Sequence, residues 1–270
     1  MISSASNRKV KEVQNLNRRA QYRRECGLFV TEGIRMFREA PEQRVEQVFV
    51  TEAFLRKCGS ETAEKIAGLP HELVTETVFS AMSDTKTPQG IMALMKIREP
   101  SLDEILERPD LCFLVLETIQ DPGNLGTMVR AGEGAGLTAV VADRTTADVY
   151  NPKVIRSTMG SIFRVPVIYT EDLREAVREM KRRGVRTYAA HLDGSADYDR
   201  ENYLGQSAFL IGNEAKGLTD ETAALADARV KIPMLGKVES LNAAVAASIL
   251  MYELSRQRRN GGREERGIRK

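Results

Sequence analysis

The segment LCFLVLETI (111–119) leaves few folds open. Its apolar residues do not alternate, so a strand built from it has no face that could meet water. Such a run marks a parallel strand covered on both sides. Five further strand candidates follow: TAVVA (138–142), VPVIY (165–169), RTYAAHL (186–192), SAFLIG (207–212) and RVKIPM (229–234). Helical patterns separate them at 124–135, 152–160, 171–183, 219–226 and 240–257. This alternation predicts a parallel α/β domain.

Upstream, Val10, Val13, Leu16 and Asn17, with Arg18, Arg19, Arg23 and Arg24 behind them, read as one basic amphipathic helix. LFVTEG (28–33), VEQVFVTE (45–52), ELVTE (72–76) and QGIMALMKI (89–97) read as strands, with helical spacing over Ala53–Ala67. A small α/β domain is therefore expected over 1–98. REPSLDEILERPD (98–110) contains Pro100 and Pro109 and little core material, so 99–110 reads as a linker. The second domain is expected over 111–257, with a basic, flexible tail at 258–270.

At 42% hydrophobic and 29% charged, the chain can bury a core and is not expected to be disordered. No apolar run approaches the ~18 residues of a membrane span, and the first residues lack the apolar core of a secretory signal. Cys26, Cys58 and Cys112 are scattered and odd in number, which fits a reducing cytoplasm and neither a disulfide framework nor a metal site. The net charge of +2 is unevenly spread. Residues 1–40 carry nine Lys/Arg against four Asp/Glu, and 255–270 carry seven against two, so the body between is acidic. Basic ends suggest a polyanion, nucleic acid first, with Arg8, Lys9, Arg18, Arg19, Arg23 and Arg24 as the candidate contacts. The alternative is a solvated helix face and a ragged tail.

Three loops concentrate chemistry-bearing residues. In TIQDPGNLGTMVRAGEGAG (118–136), Asp121-Pro122-Gly123 is turn chemistry, Asn124 is placed to cap a helix, and Arg130 lies on that helix. An arginine there can grip a phosphate through its planar fork of donors. Gly132, Gly134 and Gly136 sit at the far end of the helix, where a dinucleotide's pyrophosphate would find no N-terminus, so a Rossmann site is not expected. In FLIGNEAKGLT (209–219), Gly212 permits close backbone approach where a parallel strand ends, and Glu214 offers a carboxylate at the rim. In KIPMLGKVESLNAAVAASILMYEL (231–254), Ser240 is placed as the N-cap of a helix apolar on most sides. His71 and His191 lie in none of these loops and read as structural or exposed.

Together the loops resemble the signatures of the SpoU family of RNA ribose 2′-O-methyltransferases, of the SPOUT class. The first is matched by Asn124-x-Gly126-x-x-x-Arg130 and the second by Gly212-Asn213-Glu214 with Gly217-Leu218. Ile232-Pro233-Met234-x-Gly236-x-x-x-Ser240-Leu241-Asn242 matches the third. NPKVIRSTMGSIFRVPV (151–167), GLFVTEGIRMFREA (27–40) and TPQGIMAL (87–94) are similar to further family segments, so the resemblance covers nearly the whole chain. Ala243-Ala244 departs from the family's frequent valine and serine.

The resemblance implies an RNA-binding N-terminal domain and a deep trefoil knot in the C-terminal one. It also implies S-adenosylmethionine as cofactor, held at Gly212, Ile232 and Leu241, with Met234, Gly236 and Leu210 beside them. Arg130 would be the main catalytic residue, acting across a homodimer, with Asn124, Glu214, Ser240 and Asn242 ordering the site. Arginine is a poor base at neutral pH, so the substrate phosphate is an alternative proton acceptor. The implied substrate is RNA, large-subunit ribosomal RNA before transfer RNA, with no metal and no membrane. A non-catalytic RNA-binding protein of the same fold is the rival.

Overall fold

The structure, a computed structural model, describes residues 1–267, with side chains to Gly261. It divides into two compact units. One comprises Met1–Arg98 with Asp148–Phe163; the other comprises Glu99–Ala147 and the chain from Arg164 onward.

In the first unit, β1 (Leu28–Glu32), β2 (Val45–Val50), β3 (His71–Leu73) and β4 (Ile91–Lys96) form a sheet of order β1-β4-β2-β3. β4 runs antiparallel to both neighbours, and β3 runs parallel to β2. The basic N-terminal helix is two helices. Arg8–Arg18 buries Val10, Val13 and Leu16, and the extended backbone of Arg19 (φ −122°, ψ 109°) separates it from Ala20–Cys26. The helical stretch expected over 53–67 is likewise broken, into Glu52–Leu55 and Ser60–Ala67, at Gly59 with φ +79°.

Asp148–Phe163, expected in the second domain, folds with the first unit. Its helix Pro152–Thr158 buries Pro152, Val154, Ile155 and Thr158. The Tyr150 ring lies 4.6 Å from that of Phe29, and Asp148 takes Arg23 as its ion-pair partner. Arg23 is buried, donating from Nε and Nη2 to Asp148 Oδ2 at 2.9 and 2.5 Å and from Nη1 to the Leu16 carbonyl at 2.6 Å. These contacts remove Arg23 from the candidate RNA contacts, because a guanidinium so enclosed cannot reach a phosphate. Lys9 is engaged with Glu72 and Gln47, whereas Arg8, Arg18, Arg19 and Arg24 are exposed.

The second unit is a seven-stranded parallel sheet. Its strands are β5 (Cys112–Leu116), β6 (Ala139–Asp143), β7 (Val167–Thr170), β8 (Arg186–Ala190), β9 (Ala196–Asp197), β10 (Ser207–Ile211) and β11 (Ala228–Lys231). Their order is β7-β6-β5-β10-β8-β11-β9. The chain winds outward from β5 through β7, returns to the other side for β8, and then inserts β10 between β5 and β8. Both β5 and β10 are buried at every position, as expected of strands covered on two faces. Over Leu173–Arg182 the buried residues Leu173, Ala176, Val177 and Met180 follow the helical period, and Asp172 caps the start through Glu175 N–H at 3.0 Å.

The expected linker contributes to this unit. Its helix Leu102–Leu106 is capped by Ser101 and buries Ile105 and Leu106 in the core. The expected flexible tail begins inside a long helix, Ala243–Gly267. Arg258, on that helix, donates to the carbonyls of Asp110, Leu111 and Gly205 at 2.9–3.0 Å. Residues 268–270 of the expected tail lie outside the described residues. Among the described residues no helix is long and apolar enough to cross a membrane, and no cluster of metal-ligating side chains occurs.

Candidate active site

The carboxyl ends of β8, β10 and β11 open onto a cavity of about 360 Å³ in the second unit. Ile211–Leu218 form one wall and Val230–Lys231 with Ile232 and Met234 a second, while Ser240, Leu241 and the start of the last helix (Ala243, Ala246, Leu250) close it. This is where a parallel sheet whose strand order reverses places a ligand. Of the residues expected to touch a cofactor, Gly212, Ile232, Met234 and Leu241 line the cavity. Leu210 does not: it is fully buried in the hydrophobic core with Phe113 and Val115. Gly236 is exposed on the loop beyond Met234 and is absent from the lining.

Gly212 is required by packing. A Cβ built on it would lie 2.1 Å from both the Gly217 carbonyl carbon and the Leu218 nitrogen. The chain doubles back tightly here, with Asn213 and Gly217 exchanging backbone hydrogen bonds at 3.0 and 2.8 Å and Gly217 at φ +71°. Asn213 holds the turn from inside, its Oδ1 accepting from Ala215 and Lys216 N–H at 3.0 and 3.1 Å. Its Nδ2 donates to the Thr118 carbonyl at 2.9 Å, which ties the second loop to the first.

Both expected helix caps shift. Asp121, not Asn124, caps Pro122–Ala135, accepting from Asn124 N–H at 2.8 Å with Pro122 in the first turn. Asn242, not Ser240, caps the last helix, its Oδ1 accepting from Ala244 and Val245 N–H at 2.9 and 3.3 Å. In each case the cap is the residue directly before the first helical one, because a cap must reach the N–H two or three positions on. The consequence is chemical: the Asn124 side chain is left free to bond elsewhere. Ser240 still lines the cavity.

Asn124, Asn242 and Glu214 form one relay. Asn124 Nδ2 donates to Glu214 Oε1 at 3.0 Å, and Asn242 Nδ2 donates to Asn124 Oδ1 at 2.9 Å. The direction follows from the ends. An ionised carboxylate only accepts, so Asn124 must turn its NH₂ toward Glu214 and its oxygen toward Asn242. Asn242 must then donate, which leaves its own oxygen for the helix N–H groups. Glu214 also accepts from the backbone N–H groups of Gln120 and Asp121 at 3.4 and 3.2 Å. Burial pushes its carboxyl upward, but the hydrogen bonds from Asn124 and from the backbone of Glu214, Asp121 and Gln120 prevail and hold it below the usual range. The relay thus joins residues 124, 214 and 242, one from each of the three signature loops.

Arg130 is exposed on the Pro122–Ala135 helix, with no hydrogen-bond or ion-pair partner among the described residues, and does not line the cavity. Two of the three glycines near the end of that helix serve packing. A Cβ on Gly132 would lie 2.7 Å from Leu137 Cδ2 and 3.4 Å from Met251 Sδ, and one on Gly134 would lie 2.7 Å from the Tyr252 hydroxyl, so they admit the last helix alongside. Gly136 is the left-handed C-cap, with φ +88°. The sequence reading missed a fourth segment of the cavity wall, Ala190–Asp193, which contains His191. It follows a strand whose carboxyl end faces the site, the one signal that could have found it.

Comparison with known proteins places these features in context. Residues 112–252 match the model of the SpoU rRNA Methylase family. Residues 7–93 match that of an MRM3-like substrate binding domain. The chain is 35% identical over 255 residues to the 23S rRNA (guanosine(2553)-2′-O)-methyltransferase RlmP of Bacillus subtilis (strain 168), covering 94% of this chain and 98% of that protein. It is 33% identical over 230 residues to the 23S rRNA (guanosine-2′-O-)-methyltransferase RlmB of Bordetella pertussis, covering 82% and 92%. The crystal structure of the SpoU methyltransferase AviRb from Streptomyces viridochromogenes in complex with the cofactor AdoMet superposes with a TM-score of 0.84 at 26% identity, covering 93% of this chain and 98% of that one.

Proposed function

Because the chain belongs to the SpoU rRNA methylase family, we propose that it methylates a ribose 2′-hydroxyl of large-subunit ribosomal RNA, using S-adenosylmethionine. The observation that carries this reading is the relay Glu214–Asn124–Asn242, which ties together the three loops around a cavity at the strands' carboxyl ends. The cavity suits such a cofactor. Its size falls among small-molecule sites, its lining is mainly apolar, and Gly212 leaves backbone bare at the wall.

Gly212, Ile232, Met234 and Leu241 would hold the cofactor. Bound there, it supplies an electrophilic methyl group, and the protein supplies placement. Arg130 would grip the phosphate beside the target ribose through its two-pronged donor set. It would do so in a homodimer, across from the site it serves. Its guanidinium, without a partner among the described residues, supports that role, as does the apolar surface of the last helix, where Val245 and Tyr252 are 47% and 49% exposed. In this family reading the last helix is threaded through a preceding loop as a trefoil knot.

RNA is the substrate because only RNA carries the 2′-hydroxyl. The exposed Arg8, Arg18, Arg19 and Arg24 of the first unit would contribute phosphate contacts. The enzyme would work in the cytoplasm, with its substrate. The test is transfer of a tritium-labelled methyl group from the cofactor to purified RNA, followed by digestion to nucleosides. Label in a 2′-O-methyl nucleoside of 23S RNA is expected. Label in transfer RNA alone would reassign the substrate, and background counts with both would favour a non-catalytic RNA-binding protein.

A further inference from the structure

β5 and β6 are neighbours in the sheet, with Leu116 opposite Ala142. Their carboxyl ends therefore leave the sheet side by side. Asp143 is the last residue of β6, and Thr118 follows just past β5. Thr118 opens the first signature loop with φ +58°. A β-branched residue is a genuine outlier in this left-handed region, because its Cβ crowds the following carbonyl. Such a conformation persists only where the surroundings over-determine it.

Asp143 supplies that constraint. Its Oδ2 accepts from the Thr118 N–H and the Thr118 hydroxyl, both at 2.9 Å. Its Oδ1 accepts from the N–H and the hydroxyl of Thr146, both at 2.8 Å. Thr146 Oγ1 in turn accepts from Ile119 N–H at 3.1 Å, and Ala147 N–H donates to the Ile119 carbonyl at 2.8 Å. The segment that starts at Asp143 thus grips both Thr118 and Ile119. Four donors occupy the four lone-pair positions of the carboxylate, so Asp143 has no capacity left to act as a base. Glu117 takes no part in the clamp, since its carboxylate is spent on Thr219 and Thr222.

The clamp secures the Thr118 carbonyl, which accepts from Asn213 Nδ2 at 2.9 Å. Asn213 precedes Glu214, whose carboxylate takes Asn124 Nδ2 and the N–H groups of Gln120 and Asp121. A return of Thr118 to the usual negative φ would swing the next peptide by roughly 120° and carry this carbonyl away from Asn213. The match between residues 120–124 and Glu214 would go with it. We infer that Asp143 is a positioning residue for methyl transfer: by holding Thr118 left-handed, it sets the first signature loop against the second. Asp143 lies outside all three signatures and does not line the cavity. Its effect on rate rests on the function proposed above, whereas the backbone clamp does not.

Asp143→Asn keeps the size of the side chain but turns an NH₂ toward the donors of either Thr118 or Thr146. Single-turnover methyl transfer should fall by at least about tenfold, the effect of a misplaced loop. S-adenosylhomocysteine affinity by calorimetry should stay within about threefold of wild type, a shift too small to account for that fall. Glycine enters the left-handed region freely, so adding Thr118→Gly should raise the rate again by about threefold or more. Thr118→Val in the same background also lacks the hydroxyl but keeps the β-branch, and should restore nothing. A merely structural role would leave the rate of the folded protein unchanged in all three variants. Hydrogen exchange at the Gln120 and Asp121 amides needs neither RNA nor turnover. It should quicken by about tenfold in Asp143→Asn and slow again with Thr118→Gly.

A rate for Asp143→Asn within about twofold of wild type would overturn the inference, being smaller than any displaced loop should give. Equal rescue by valine and glycine would overturn it as well. If Asp143→Asn does not fold, its double variant with Thr118→Gly decides: folded and active supports the clamp, folded and inactive overturns it. Unchanged exchange in Asp143→Asn overturns the clamp whatever the activity. Wild type that methylates no RNA would overturn the proposed function, and the exchange measurement would still judge the clamp.

Discussion

Replacing Asn242 with aspartate separates the two jobs that its side chain performs. The oxygen caps the last helix and the NH₂ donates to Asn124 at 2.9 Å. Aspartate caps as well as asparagine, and its charge at a helix N-terminus adds about 0.3–1 kcal/mol. Loss of the hydrogen bond to Asn124 costs about 0.5–1.5 kcal/mol, so folding stability should stay within about 1 kcal/mol of wild type. The relay fares worse. A carboxylate would face the Asn124 oxygen, and Asn124 cannot reverse its amide while Glu214 requires its hydrogens. The loops must then separate, and a displacement of about 1 Å can cost about a hundredfold in rate. Chemical denaturation with single-turnover methyl transfer reads both effects. Asn242→Asp should unfold near wild type and transfer at least about tenfold more slowly, whereas Asn242→Ala loses the cap too and about 1 kcal/mol of stability. Glu214→Gln in the aspartate background should restore part of the rate, since glutamine can donate and let Asn124 turn. A wild-type rate for Asn242→Asp, or no rescue, would refute the directional relay.

Arg130→Ala should abolish methyl transfer while leaving S-adenosylhomocysteine affinity unchanged by calorimetry; an active variant would remove Arg130 from the chemistry. Gly212→Ala should lose cofactor binding and about 1–3 kcal/mol of stability in denaturant, because the added carbon meets the Gly217–Leu218 backbone at 2.1 Å. Glu214 supplies a pH dependence. Its folded carboxyl sits below the usual range, so its stabilisation is present above the unfolded-state value and is lost as pH falls through the depressed folded one. The stability gap between wild type and Glu214→Gln should therefore be full at neutral pH and close in acid, as followed by thermal unfolding.

Much of the second unit was legible because its strands are short apolar runs set between helices of clear period. β5 lies within the expected 111–119 and β10 within 207–212. Their adjacency was not legible, since inserting β10 beside β5 is a long-range pairing that no local pattern encodes. The signature residues could be named from the sequence, but not their hydrogen bonds. Asn124 and Ser240 looked like caps because Asp121 and Asn242, equally good caps nearby, differ from them only in where the helix begins. Arg23 looked like a phosphate contact because its partner Asp148 is 125 residues away. His191 was passed over because it lies in no motif, and only the fold brings the end of β8 to the cavity.

The methyl donor is expected in the cavity at the ends of β8, β10 and β11. A crystal structure of the protein with S-adenosylhomocysteine would decide this. Density for the ligand against the backbone of Gly212, Ile232 and Leu241, with the last helix threaded through a preceding loop, is the result expected. Density elsewhere, with this cavity filled only by solvent, would contradict it.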